Sequence, residues 1–184
     1  MKKKLIETIR HHIENKMLLH IERVFEGQID EIIGFPLLIS DNVLLMSIVN
    51  DFYDEGFSIL RLSDISDAYS KEDDAFYEKI CLSENIGTEK PNILCDVTDI
   101  ETVLKQLKNY EGFISVQTER QTEKCSFYLG KIVEVGLHDV SFIDIGTDGK
   151  WDDKAHSISF EEITQITFED NYSRMYYKYV PRLF

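Results

Sequence analysis

Apolar residues recur at helical spacing near the start of the chain, where Leu5, Ile6, Ile9 and Ile13 alternate with charged positions and predict an amphipathic helix over residues 3–16. The period then shortens. Leu19, Ile21 and Val24 mark a strand within residues 18–25, Gly27 allows a bend, and Ile29 and Ile32 lead into strands at residues 37–39 and 43–49. The apolar run at 43–49, interrupted only by Ser47, predicts a strand covered on both faces or lying at an interface. Leu60, Leu62 and Ile65 close this set, and the polar stretch 70–74 opens a short helix through Tyr77 and Ile80. Residues 83–92 combine Gly87, Pro91 and charges without periodicity, which predicts a short linker.

The pattern then starts again. Thr98-Asp99-Ile100-Glu101 reads as a capping box in which the Thr98 hydroxyl accepts a helical amide, with Val103, Leu104 and Leu107 on the buried face. Strands follow at residues 113–118, 126–135, 140–145, 157–160 and 165–168, and Tyr172, Met175, Tyr176 and Tyr179 share one face of a final helix. Residues 27–68 are echoed by residues 130–166. Leu60-Arg61-Leu62-Ser63-Asp64-Ile65 matches Ile158-Ser159-Phe160-Glu161-Glu162-Ile163 at an offset of 98 residues, each after an acidic, aromatic turn. Two units are expected, 1–86 and 92–184. Units of that size bury only about 60–65% of their extended-chain surface, so each is expected to pack on the other.

Order helix, then about five short strands, repeated twice, is what small barrels require. The run Gly130-Lys131-Ile132-Val133-Glu134-Val135, the strand at 140–145, a turn around Gly149 and the segment 158–163 before a last strand together resemble the Sm-like (SH3-like) barrel. The first half resembles it less closely. The resemblance implies an α+β protein of two tandem small barrels, each preceded by an α-helix, and it implies no particular ligand. Its RNA-binding residues do not carry over, because Ser159-Phe160-Glu161-Glu162 stands where RNA binders have a basic or Asn/Gly-rich loop.

Charge narrows the partner classes. The net charge is −14, spread over both halves, and an acidic surface repels the phosphates that nucleic-acid binders neutralise. A protein partner is expected instead of nucleic acid, with a small-molecule ligand as a further class and the oligomeric state left open. Three cysteines, Cys81, Cys95 and Cys125, lack CxxC spacing and read as reduced thiols. The basic Met1-Lys2-Lys3-Lys4 start has no apolar core behind it, and no run approaches the roughly 20 apolar residues of a membrane span, so a cytoplasmic protein is the expectation.

Candidate chemistry is sparse. His11, His12, His20, His138 and His156 are scattered without HExxH spacing, and no metal site, cofactor or catalytic residue is expected. Asp148-x-x-x-Asp152-Asp153 has carboxylates for a hard cation but not the EF-hand order of ligands, so solvated turns are the favoured reading. What remains is a pair of matching turns. Asp51, Tyr53, Asp54 and Glu55 in the first unit and Asp148, Trp151, Asp152 and Asp153 in the second are the candidate interaction surface. Trp151 reads as a lid on the core ahead of an anchor for a partner, and the C-terminal aromatics as core ahead of a docking face. The expected function is a non-enzymatic protein-interaction or regulatory module. The alternatives are an acidic inhibitor or immunity protein that neutralises a basic nuclease or toxin, and a small-molecule sensor.

Overall fold

The computed structural model describes residues 2–94, 96–120 and 126–182. Chain order is α1 (Lys2–Asn15), β1 (Leu19–Phe25), β2 (Gln28–Ile39), β3 (Val43–Asn50), β4 (Tyr53–Arg61), β5 (Ile65–Tyr69) and α2 (Asp74–Glu84). Then come α3 (Ile100–Leu107), β6 (Ile114–Thr118), β7 (Ser126–Val135), β8 (Asp139–Asp144), β9 (His156–Ser159), β10 (Gln165–Phe168) and α4 (Asn171–Tyr179). The helices and sheet fit an α+β class.

Two separate barrels are not what the chain forms. All ten strands hydrogen-bond into one open antiparallel sheet in the order β5-β1-β2-β3-β4-β10-β6-β7-β8-β9. The joint is β4 against β10, from Phe57 opposite Phe168 to Leu60 opposite Gln165. Ile59 and Ile166 face each other there with no exposure, so separating the halves would strip two fully buried side chains, each worth about 1.5–3 kcal/mol, and leave two strand edges unpaired. Apolar periodicity does not encode which edge pairs with which.

The repeat itself is visible in the strand order, because β5-β1-β2-β3-β4 and β10-β6-β7-β8-β9 follow the same sequence of neighbours. The glycine that matches Gly130 is Gly34 and not Gly27. Gly34 lies opposite Ile48 and Gly130 opposite Asp144, and a Cβ on either would collide with a carbonyl oxygen of the crossing strand, Ser47 or Ile143. Both strands then bulge three residues later, at Leu37 and Val133. Pro36 removes an amide from the ladder at the first of these sites.

β3 is the wall between two cores. Leu44 and Met46 face a cluster with Ile9 of α1, Ile21, Leu60 and Ile65, while Val43, Leu45 and Val49 belong to a larger cluster with Cys81, Ile100, Leu104, Ile132 and Phe168. The apolar run at 43–49 is therefore covered on both faces from within the chain. The segment after α2 also packs down, with Gly87 against Val49 and Phe35.

Two local details differ from the expected pattern. Asp99, not Thr98, caps α3 by accepting from the Thr102 amide at 2.8 Å, while Glu101 pairs with Lys105 at 2.5 Å. His12 is buried instead of lying on the polar flank of α1, bonded to the Thr8 carbonyl at 2.8 Å and the Ser70 hydroxyl at 2.7 Å. Cys81 is a free, buried thiol, and burial pushes its pKa up. Cys95 and Cys125 lie outside the described residues. Among the described residues no helix is long and apolar enough to cross a membrane.

Candidate functional site

The first candidate turn joins β3 to β4. Asp51 and Phe52 take φ of 47° and 63°, the left-handed pair that a two-residue hairpin turn demands, although neither is glycine. Helix α2 holds this geometry: the Phe52 ring stacks on Tyr77 at 4.4 Å, and its amide donates to the Tyr77 hydroxyl at 2.9 Å. Asp54 accepts from the Gly56 amide at 2.9 Å. Tyr53 is left 71% exposed, and Glu55 forms no ion pair among the described residues.

The second turn behaves differently. Trp151 is half-buried, edge-on to Phe113 at 5.3 Å, with its indole donating to the Pro181 carbonyl at 2.8 Å. Asp148 pairs with Lys150 at 2.6 Å, Asp152 turns to His156 at 2.7 Å, and Asp153 is exposed. Helix α4 lies between the two turns. Gly56 abuts Glu169 and Asp170 at its N-terminal end, whereas Trp151 shares a cluster with Val180 and Tyr177 at its C-terminal end.

Between the halves runs a groove of about 580 Å³ along the β4–β10 joint. Its floor is a hydrogen-bonded row in which the Gln165 amide donates to the Ser58 hydroxyl at 3.0 Å and to Thr167 at 3.1 Å. Glu31, Glu55 and Asp170 supply its carboxylates, and Phe127 and Tyr172 meet edge to face at 6.0 Å as half-exposed walls. No lysine or arginine lines it among the described residues.

Sequence reasoning missed the charged network that supports this groove. Arg23 is 1% exposed. Its guanidinium donates to Asp30 at 2.5 and 2.9 Å, to Glu119 at 2.9 Å and to the Gln165 side-chain oxygen at 2.8 Å. Thr164 adds a hydroxyl to Glu119 at 2.6 Å. The chain thus ties β1 and β2 to the second half through a fixed, paired charge. Its signal was present, since Leu19, Ile21 and Arg23 occupy alternate positions of one strand and an arginine in that series faces inward.

A second network surrounds buried His20, whose ring nitrogens sit 3.1 Å from Glu31 and 3.0 Å from Asp74, with Tyr69 stacked on it at 5.3 Å. The Tyr69 hydroxyl donates to Glu31 at 2.6 Å and Lys71 pairs with it at 2.9 Å. These two donors hold the Glu31 carboxyl at about 2. The same bond to Glu31 raises Tyr69.

At the far side of the second half, Asp144, Asp152 and His156 present one ligand-type atom each, all within 4.8 Å of one another. Burial raises Asp144, whose Oδ1 accepts from the Leu129 amide at 2.6 Å. Asp148 and Asp153 are not part of this group, because the tight Gly146-to-Lys150 turn directs Asp148 onto Lys150.

Comparison of the chain with family models, curated proteins and solved structures finds no match.

Proposed function

We propose that the protein is a non-enzymatic interaction module that takes a basic segment of a protein partner into the groove over the β4–β10 joint. The observation that carries this reading is the groove's lining of three carboxylates and, among the described residues, no base, with Phe127 and Tyr172 as walls. Glu31 is already paired with Lys71 and Asp170 caps α4, so Glu55 is the carboxylate left to meet an incoming cation. Aromatic walls beside a carboxylate suit a guanidinium or ammonium, and the row of Ser58, Thr167 and Gln165 offers hydrogen bonds to a peptide backbone. The −14 net charge supports a second reading of the same chemistry, an acidic inhibitor that neutralises a basic nuclease or toxin.

Titration of a fluorescent nona-arginine peptide tests both. Saturable binding is expected, weakening with salt, and Glu55→Lys should reduce it at least about tenfold, a loss of about 1.4 kcal/mol. Asp41→Lys changes net charge equally at an exposed turn away from the groove and should leave most of the affinity. Equal losses in the two variants, or no saturable binding, would overturn the groove as the binding face.

A further inference from the structure

We infer that Asp144, Asp152 and His156 form a binding site for a divalent transition ion of zinc type, independent of the groove. The donor set is mixed, two carboxylates and an imidazole, which suits zinc better than the all-oxygen shells of calcium or magnesium. One donor is held through its carboxylate and the other two through their backbone. Asp144 ends β8 with Oδ1 accepting from the Leu129 amide, which fixes the orientation of its carboxylate. The Asp152 amide donates to the Asp144 carbonyl at 3.0 Å, and His156 opens β9 opposite Phe142. A backbone bridge between Ile145 and Trp151 closes the intervening excursion, so residues distant in sequence converge without needing a long side-chain reach.

Two further observations separate this group from an ordinary acidic turn. Among the described residues neither carboxylate pairs with a lysine or arginine, and the only ion-pair partner of Asp152 is His156 itself. The frame does not require these residues either. The positions that correspond in the first half, by their pairing opposite Gly34 and Met46, are Ile48 and Ser58. The same strands fold there with an apolar side chain and a hydroxyl. In the proposed site a carboxylate oxygen of Asp144, Oδ2 of Asp152 and Nε2 of His156 bind the ion, replacing the 2.7 Å contact between the last two, and water fills the remaining position. Asp152 and His156 are each over 40% exposed, so an ion reaches the site from solvent.

Isothermal titration of Zn²⁺ into the chelator-stripped full chain, with Co²⁺ visible absorption as a geometry probe, tests this. One ion per chain is expected, together with a raised melting temperature. Asp152→Asn and His156→Gln should each weaken binding at least about tenfold, since even outer-shell losses cost about 10–100-fold. Asp148→Asn, which removes an equal charge nearby, should leave the affinity unchanged. The proposal is overturned if binding is not saturable at one ion per chain, if Asp148→Asn costs as much as Asp152→Asn, or if His156→Gln has no effect. Both ligand variants alter exposed side chains, so misfolding of one leaves the other to decide.

Discussion

The hairpin β3–β4 and the hairpin β8–β9 hold corresponding places in the two halves, yet the first turns in two residues and the second makes an excursion from Ile145 to Ala155. The short turn needs Asp51 and Phe52 in a left-handed conformation and depends on Tyr77 of α2 for support. The long one folds back on itself, ties down Trp151 and brings Asp152 and His156 to Asp144. A shared frame thus carries different chemistry in its two copies. What distinguishes them is connection length and the side chains at a few strand ends, while strand order stays constant.

The largest difference in stability between corresponding positions is expected at Arg23. Its counterpart by pairing, next to Glu22 and Gln117, is Thr118, a half-buried residue with no ionic role. Arg23→Ala leaves Asp30 and Glu119 facing each other without a cation and should cost about 3–5 kcal/mol in denaturant unfolding. Thr118→Ala should stay within about 1 kcal/mol. A similar small loss at both positions would mean that the network does not hold the halves together.

Tyr53 and Trp151 are expected to differ in the same way at the two turns. Trp151→Ala should lose about 2 kcal/mol, below the 3–5 of a fully buried tryptophan, because the ring is half covered by Phe113 and its indole bond is lost. Tyr53→Ala should remain within about 0.5 kcal/mol, since the side chain is 71% exposed. Thermal unfolding of the two variants side by side checks this, and equal losses would erase the assignment of Trp151 as a lid and Tyr53 as a free aromatic.

The smallest effect lies at low pH. Glu31 is held at about 2 in the folded chain against 4.5 for the free side chain, so its contribution is fully present above about pH 4.5 and is lost as pH falls toward 2. Glu31→Gln should remove that part of the acid destabilisation, leaving a shallower stability profile between pH 4.5 and 2 than the parent. An unchanged slope would show that the Tyr69 and Lys71 bonds contribute nothing in solution.

Much of the architecture was legible because side-chain alternation writes strands directly. The runs at 43–49, 126–135 and 165–168 became β3, β7 and β10, and the recurring order of elements became the recurring order of strands. Edge choice was not legible. Phe57 and Phe168 look like any strand apolar residues until β4 and β10 are laid side by side. Both candidate turns lie at strand connections, but the first is only Asp51 and Phe52, with Tyr53, Asp54 and Glu55 already in β4, and the side-chain roles depend on neighbours far away in sequence: Phe113 and Pro181 for Trp151, Tyr77 for Phe52. The grouping of Asp144 with His156 was hidden for another reason. The two residues sit on different strands, β8 and β9, so no periodicity within one element links them, and only the fold-back of residues 145–155 makes them neighbours.

The β4–β10 joint also sets the order of events during synthesis. Its partners lie more than a hundred residues apart, and β10 is the last strand to be made. At about 5–20 residues per second, the outer edge of β4 waits on the order of 5–20 s for its neighbour. During that interval the nascent first half carries an unpaired, apolar strand edge, a template for pairing with another chain.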